Sequence, residues 1–135
     1  MILTILAFMF TAAADPTHLE STVAKVTQTP AYVEQYVRIY FSDVPILAEI
    51  AECESRFRHF DTRGNVLRGE ENPRDVGVMQ INEDFHLDTA LESNVDLYTL
   101  EGNLQYARSL YEKMGTKPWK YSQKCWGGMV LALAK

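Results

Sequence analysis

Apolar side chains recur every three to four residues in segments 31–41, 42–57 and 99–115, and this period restricts the fold more than any other feature. Such spacing places the apolar side chains of each segment on one face of an amphipathic α-helix. Between the second and third segments, residues 61–75 are rich in Gly, Asn, Asp and Pro, which is typical of a loop with room for a brief strand at 66–67. The sequence therefore predicts a mainly α fold of the α+β kind, with one short loop or β segment.

Local signals mark the ends of two of these predicted helices. Ser42 or Asp43 can cap the helix in segment 42–57, because short polar side chains accept hydrogen bonds from the first backbone N–H groups. Pro45 suits the first turn of the same helix. In the third segment, Thr99 can provide the cap, and Gly115 ends the helix.

Glu54 lies on the apolar face of the second predicted helix. It comes four residues after Ile50 and three after Ala51, so it shares their face. Glu49 and Glu52 fall elsewhere and can face water. Burial and a position near a helix C-terminus both disfavour a charged carboxylate, so both raise its pKa towards the protonated form that a general acid needs. The open alternative is a helix that ends earlier and leaves Glu54 in solvent.

Residues 1–14 are predicted to be a secretory signal peptide. Residues 2–10 are apolar apart from one Thr, and the alanines at 12–14 offer a small-residue cleavage site. The alternative is an uncleaved anchor, but the apolar stretch is shorter than the ~20 residues that a span needs. Residues 15–30 are polar and are predicted to be a flexible lead-in or a short helix, followed by the functional domain at 31–135. The expected location is secreted or periplasmic, in the cell envelope.

Export affects the interpretation of the two cysteines, Cys53 and Cys125. In an oxidising compartment an even pair most simply forms one disulfide bond, and two separate buried thiols are the alternative. Two cysteines are too few for a structural zinc site unless His joins them. The three histidines, at 18, 59 and 86, show no ligand spacing. No metal ion and no cofactor are therefore predicted.

The net charge of −5 argues against two classes of partner. Proteins that bind nucleic acid or an anionic membrane surface present clustered Lys and Arg, and no such run occurs in this chain. The 135 residues, of which 47% are hydrophobic, suffice for one domain with a real core. We expect a monomer without a nucleic-acid partner and without an integral membrane span in the mature chain.

Three motifs follow one another along the chain: ESRF from Glu54, GVMQIN from Gly77 and NLQYA from Asn103. In this order they resemble the lysozyme-like soluble lytic transglycosylases, a family related to goose-type lysozyme. The family pattern has a Glu-Ser pair at a helix end, a Gly-Leu-Met-Gln block, and an Asn-containing helix that supports the cleft. The match covers roughly residues 46–126, and it makes 31–135 a lysozyme-like transglycosylase domain.

The resemblance implies a role for each matching residue. Glu54 matches the catalytic acid/base, and no cofactor is implied. The implied substrate is the glycan strand of peptidoglycan, cut between N-acetylmuramic acid and N-acetylglucosamine in a glycan-binding cleft. The residues implied to bind substrate or support the cleft are Ser55, Gly77, Met79, Gln80, Asn103 and Tyr106.

The chain departs from the family pattern in its last segment. Many members carry an Ala-Tyr-Asn-Ala-Gly string whose Tyr reaches the catalytic Glu, and PWKYSQKCW occupies that place here. In one interpretation Tyr121 stands in for that Tyr as a substrate-binding residue. In the other, Ser122 and Trp126 line the same wall. A disulfide between Cys53, next to Glu54, and Cys125 in this segment is hypothesised to tie the two walls of the cleft together.

The expected reaction depends on a second carboxylate. A lytic transglycosylase uses one carboxyl group and leaves a 1,6-anhydro product, whereas a hydrolase needs a second group to position water. Glu71 and Asp75 are the candidates, although both also suit a solvated acidic loop, and Asp75 can simply fix the turn before Gly77. Asn82, after the block, is neutral and cannot act as a base. The resemblance therefore favours a transglycosylase over a goose-type-like hydrolase, and a non-catalytic peptidoglycan-binding module is a further alternative.

Overall fold

The computed structural model describes residues 16–133 and shows a mainly helical chain with one small antiparallel sheet, which confirms the predicted fold class. In chain order the elements are α1 (Pro16–Thr27), α2 (Pro30–Tyr40), α3 (Ile46–Ser55), β1 (Asp75–Val76), β2 (Ile81–Asn82), α4 (Glu83–Glu92), α5 (Leu100–Met114), the 3₁₀-helix Lys117–Ser122 and α6 (Gln123–Leu133). The predicted signal peptide at 1–14 lies outside the described residues. Helix α1 occupies most of segment 15–30. No helix within 16–133 has the length and apolarity of a membrane span.

Helices α2, α3 and α5 bury the faces that their periodicity predicts. Burying one large aliphatic or aromatic side chain contributes roughly 1.5–3 kcal/mol, so these faces supply much of the stability. The most deeply buried side chains from the three helices and the turn after α2 are Val33, Val37, Phe41, Leu47, Ile50, Ala51, Leu104 and Ala107. Helix α3 lies between α2 and α6, and its C-terminal end carries Glu54.

The ends of the helices follow the sequence signals only in part. Thr99 caps α5 as predicted, because its hydroxyl accepts the N–H of the residue three positions on at 3.0 Å. Helix α3 has no side-chain cap, and Pro45 occupies its cap position. The prediction that Ser42 or Asp43 caps α3 is therefore wrong. Asp43 instead accepts two hydrogen bonds from the guanidinium of Arg108, at 2.8 and 2.9 Å.

Glu49 is buried, so the prediction that it faces water is wrong. Its side chain is 11% exposed, and Arg38 of α2 donates a hydrogen bond to it at 3.0 Å. The Arg38 guanidinium also lies 5.0 Å from the ring centroid of Phe57. A carboxylate can be buried when an opposite charge compensates its lost hydration, and Arg38 provides that charge from another helix.

The sheet is a tight β1–β2 hairpin paired in the register Asp75 to Asn82 and Val76 to Ile81. Of the brief strand predicted at 66–67, one isolated bridge from Val66 to Phe60 is present. A second isolated bridge joins Arg68 to Val76. The hairpin turn at 77–80 has two residues with positive φ, at 72° and 48°. The conformation of this turn decides which residue of the GVMQIN motif reaches the cleft.

Asn103 of α5 holds the hairpin turn from behind. Its side-chain oxygen accepts the N–H of Met79 at 2.9 Å, and its amide nitrogen donates to the carbonyls of Val76 and Leu97 at 3.1 and 3.0 Å. A Cβ atom on Gly77 would lie 2.5 Å from that amide nitrogen. The close backbone approach expected of a Gly in this apolar run is confirmed.

His59 and Trp119 complete the support of the turn. The Nδ1 atom of His59 accepts the N–H of Val78 at 3.1 Å, and Nε2 lies 3.0 Å from the carbonyl oxygen of Tyr98. The ring is therefore neutral with its proton on Nε2, in agreement with burial, which lowers the pKa of His59. The indole N–H of Trp119 donates to the carbonyl of Met79 at 3.0 Å. Side chains from three distant segments thus satisfy the backbone of one turn.

Glu83, the first residue of α4, fixes the loop that leads into the hairpin. Its carboxylate accepts hydrogen bonds from Arg68 at 2.6 Å, Arg74 at 3.0 Å and the Tyr98 hydroxyl at 2.8 Å. The hydrogen bond from Arg68, with further contributions from Tyr98 and Arg74, lowers the pKa of Glu83 to about 2. The carboxylate therefore stays charged through the neutral range and holds residues 68–74 in place.

Candidate active site

Glu54 lies at the junction of two connected cavities that together form an open cleft. The first cavity, of ≈530 Å³, is lined by Arg56, Arg58 and Arg68, and we call it the arginine half. The second, of ≈670 Å³, is lined by Phe85, Trp119 and Tyr121, and we call it the aromatic half. Five residues line both halves: Glu54, Glu71, Asn72, Asp75 and Gln80.

The environment of Glu54 favours its protonated form. Burial raises the pKa of the Glu54 carboxyl, the negative charge of Asp75 adds to the rise, and a hydrogen bond from Ser122 opposes it. The inward orientation predicted from the helix period is confirmed, because Glu54 is half-buried at the end of α3 and faces the cleft. A half-buried acid that a ligand can reach is the arrangement that proton donation requires.

Ser122 contacts the Glu54 carboxyl directly. Its hydroxyl oxygen lies 2.6 Å from Oε1 of Glu54 and 3.0 Å from the carbonyl oxygen of Trp119. The indole N–H of Trp126 donates to the same hydroxyl oxygen at 3.1 Å. A serine hydroxyl carries one hydrogen, so it donates to Glu54 or to Trp119 but not to both at once.

This geometry serves both protonation states of Glu54. When Glu54 is charged, the Ser122 hydroxyl donates to the carboxylate. When Glu54 is protonated, the carboxylic acid donates to Ser122, whose own hydrogen turns to the Trp119 carbonyl. Rotation of one hydroxyl therefore keeps every group paired, and neither state leaves an unsatisfied buried polar atom. Such a partner suits an acid that must also act as a base.

Removal of this hydroxyl should shift the titration of Glu54. In Ser122→Ala the opposing hydrogen bond is lost, so we expect the pKa of Glu54 to rise further and the basic limb of any pH–activity profile to move to higher pH. A carbon-13 NMR titration of the Glu54 side-chain carboxyl measures the shift without relying on activity. Ser122→Thr retains the hydroxyl and is the matched control. A lowered or unchanged pKa in Ser122→Ala would contradict the assigned contact.

The disulfide predicted from the two cysteines is present. Cys53 and Cys125 are joined across a sequence separation of 72 residues, with their Cα atoms 5.9 Å apart. The bond connects α3, directly before Glu54, to α6, three residues after Ser122. Glu54 therefore lies on one of the joined helices, and Ser122 is the last residue of the 3₁₀-helix that directly precedes the other.

Ser55 does not support the Glu54 carboxyl through its side chain. Its hydroxyl donates to the carbonyl of Ala51 at 3.0 Å, and its own carbonyl accepts from Nε of Arg58 at 3.0 Å. Ser55 is buried although it contributes to the wall of the arginine half. Its two hydrogen bonds stabilise the end of α3.

Most residues of the second and third motifs lie behind the cleft wall. Gly77, Met79 and Asn103 are buried and line neither half, and Tyr106 is 6% exposed with its hydroxyl 3.2 Å from Nδ1 of His86. Gly77 and Met79 therefore do not line the cleft as the resemblance implies. Asn103 and Tyr106 do not line it either, but they lie behind its wall on α5, as residues of a supporting helix do. Gln80 does line both halves, and its amide nitrogen donates to the Gly77 carbonyl at 2.8 Å. The hairpin turn thus presents one polar side chain to the cleft.

Two aromatic rings are exposed in the aromatic half. Tyr121 is 90% exposed and Phe85 is 79% exposed, whereas Trp119 and Trp126 are buried. Tyr121 therefore lines the cleft as predicted, but the group in contact with Glu54 is its neighbour Ser122. Exposed rings at the edge of a polar cleft are suited to stacking on the apolar faces of sugars.

The two candidate second carboxylates differ in how firmly they are held. Oδ1 of Asp75 accepts hydrogen bonds from the side-chain amides of Asn82 at 2.8 Å and Asn72 at 3.4 Å, so its position is fixed. Glu71 is exposed, although it lines both halves. Asp75 is thus the carboxylate best placed to act with Glu54. Asn82 has a second role, because its side-chain oxygen caps α4.

Sequence reasoning misses two groups that shape this site. His59 and Trp119 hold the hairpin turn through single hydrogen bonds to its backbone, and no local pattern distinguishes them from ordinary core residues. The position of Ser122 in the chain predicts that it lies on the cleft wall. It does not predict the hydrogen bond to Glu54. Within the described part of the chain, no group of three or more His, Cys, Asp or Glu side chains is arranged to hold a metal ion.

Comparisons of the chain with models of protein families, with curated proteins and with solved structures found no match. The class that the structure itself defines is a mainly α domain with a two-stranded antiparallel hairpin and a disulfide that joins α3 to α6.

Proposed function

We propose that this protein is a lytic transglycosylase that cleaves the bond between N-acetylmuramic acid and N-acetylglucosamine in peptidoglycan, with Glu54 as the single acid and base. The observation that carries the proposal is the desolvated Glu54 carboxyl at the centre of a two-part cleft, paired with a hydroxyl that can serve both of its protonation states. The ordered ESRF, GVMQIN and NLQYA motifs, which resemble that family, support it. The internal disulfide is compatible with a secreted or periplasmic enzyme.

One carboxyl group suffices for the proposed reaction. Protonated Glu54 donates its proton to the glycosidic oxygen as the bond from that oxygen to the anomeric carbon breaks. The 6-hydroxyl of the same muramyl residue then forms a bond to the anomeric carbon, and its proton passes to the Glu54 carboxylate. The product is a 1,6-anhydro sugar, no water is consumed, and Glu54 returns to its protonated state. Ser122 is a positioning residue that changes its donor direction between the two steps.

Hydrolysis is the second candidate reaction. The position of Asp75 supports it, because a hydrolase needs a second carboxylate near the acid. Asp75 lines both halves, its charge acts on Glu54, and two Asn amides fix its side chain. A water held by Asp75 could attack the anomeric carbon in place of the sugar hydroxyl, which gives a reducing end. The single-carboxyl reaction is preferred because the Ser122 contact gives Glu54 the two successive roles that it needs.

Mass spectrometry of digested peptidoglycan tests the proposal. We expect purified residues 15–135 to release muropeptides with 1,6-anhydro ends, which are lighter by one water than the products of hydrolysis. Reducing-end products that disappear in Asp75→Asn would establish the hydrolase instead. Retained binding without any product would indicate a non-catalytic peptidoglycan-binding module.

A further inference from the structure

We propose that Arg56 binds a carboxylate carried by the muramyl residue of the substrate, and so makes the cleft specific for acidic glycan strands. This inference rests on the proposed function, because it assigns a partner within the same cleft. Two chemical sources supply such a carboxylate. One is the lactyl group of a strand without peptides, and the other is the peptide stem of an intact strand.

The backbone at Arg56 adopts a conformation that side chains disfavour. Arg56 follows the last residue of α3 with φ 54° and ψ 44°, and Phe57 also has a positive φ of 56°. Helices that end in this left-handed conformation usually place Gly there, because a side chain makes the conformation unfavourable. An Arg at this position makes the folded state less stable than a Gly would. Such strained residues are common at binding sites. Phe57, which is buried, anchors the turn in the core.

The three arginines of the arginine half differ in whether their side chains already have a partner. Arg68 donates to Glu83 and to the carbonyl of Pro73. Arg58 donates to the Ser55 carbonyl and lies 3.8 Å from Glu70. Among the described residues, Arg56 is the arginine of this half with neither an ion pair nor a side-chain hydrogen bond, and it is exposed. It is therefore available to an anion that enters the cleft.

The charge distribution of the arginine half gives such an anion one place to bind. Glu70, Glu71 and Asp75 line the same half, so a carboxylate is repelled from the 69–75 loop. Arg56, two residues after Glu54, supplies the free positive charge beside the proposed acid. A guanidinium recognises a carboxylate through two parallel hydrogen bonds, which fixes its orientation as well as its distance. A muramyl carboxylate bound there orients the sugar whose bond Glu54 would cleave.

Binding measurements with three ligands test the assignment. In a Glu54→Gln background, which prevents turnover, isothermal titration calorimetry compares Arg56→Gln with the parent. The ligands are an N-acetylglucosamine oligosaccharide without carboxylates, peptide-free glycan strands, and peptide-bearing strands. We expect Arg56→Gln to weaken binding of a carboxylate-bearing ligand about tenfold or more, and to leave the neutral oligosaccharide within about twofold. High salt should reduce the difference, because the contact is exposed.

Three further variants make the result specific. Arg63→Gln removes the same charge from an exposed loop residue that lines neither half, and it should bind like the parent. Arg56→Lys should recover part of the affinity, because it keeps the charge without the two-pronged geometry. Arg56→Gly should lose the same binding while its melting temperature stays the same or rises by a few degrees, because it relieves the left-handed backbone.

The outcomes separate this inference from the proposed function. If Arg56→Gln binds peptide-free strands more weakly than the parent does, Arg56 binds the lactyl carboxylate. If only the binding of peptide-bearing strands is weaker, Arg56 binds a carboxylate of the peptide stem. If Arg56→Gln matches Arg63→Gln, or weakens all three ligands equally, the inference is overturned while the proposed function stands. If the wild-type protein releases no product and the parent binds none of the three ligands, the proposed function fails and this inference fails with it.

Discussion

Glu54→Gln is expected to lower the release of anhydro-muropeptides by at least about 10²- to 10⁴-fold, the usual contribution of a positioned general acid. Gln has nearly the same shape and can still accept the Ser122 hydrogen bond, but it can neither donate a proton to the glycosidic oxygen nor remove one from the sugar hydroxyl. Initial rates on purified peptidoglycan, followed by mass spectrometry, measure the loss.

The same variant should not be less stable than the wild type at neutral pH. Folding raises the pKa of Glu54 above its ordinary value of 4.5, so the charged form disfavours the folded state at higher pH. The uncharged Gln avoids this penalty. We expect the melting temperature of Glu54→Gln to exceed that of the wild type near pH 8, and the difference to vanish below about pH 4, where Glu54 is protonated in both states.

Glu112→Gln is the matched control for both measurements. Glu112 is exposed on α5 and lines neither half of the cleft, so its neutralisation should leave the rate and the melting temperature as in the wild type. Full activity in Glu54→Gln would refute the proposed function. A large fall in its melting temperature at every pH would show instead that Glu54 has a structural role.

Loss of the disulfide should give the largest change in stability. The bond joins residues 72 positions apart, and closing a loop of that size in the unfolded chain is worth about 4 kcal/mol in the chain-entropy account. This is a large part of the roughly 5–15 kcal/mol that stabilises most domains. For Cys53→Ser/Cys125→Ser we expect the urea midpoint to fall by about 2 M, measured by circular dichroism.

Activity should fall with the disulfide even where the domain remains folded. The bond holds α3 against α6, and the Ser122 contact with Glu54 depends on that arrangement. Reduction of the wild type with dithiothreitol should reproduce the double variant, whereas the reagent should leave the double variant itself unchanged. An equal urea midpoint for reduced and oxidised wild type would contradict a stabilising role.

The sequence predicts the parts of the fold that depend on local periodicity and local backbone geometry. The inward face of α3 follows from three- and four-residue spacing, and Glu54 shares that face. The spacing does not decide whether the helix extends as far as Glu54, which the structure shows that it does. Gly77 signals close packing because it lacks a side chain, and the nearby Asn103 amide confirms that signal. The disulfide is predicted from the even number of cysteines together with the export that residues 1–14 predict.

The remaining features depend on partners that are distant in sequence. Glu49 is buried because Arg38 reaches it from another helix, and Asp43 pairs with Arg108 instead of capping α3. The contact of Ser122 with Glu54 requires the 3₁₀-helix to pack against α3, which no local pattern specifies. Periodicity predicts which face is buried, but it does not predict which polar residues pair across elements.

The hairpin turn also constrains how the domain folds. His59, Asn103 and Trp119 each bond to its backbone, and they come from segments before the sheet, from α5 and from the 3₁₀-helix. Such non-local contacts form only after long loops have closed, so they belong to the late, slow part of folding. We therefore expect Gln80 to reach the cleft late in folding, and a fragment that ends before Trp119 to lack the support that the indole gives to the turn.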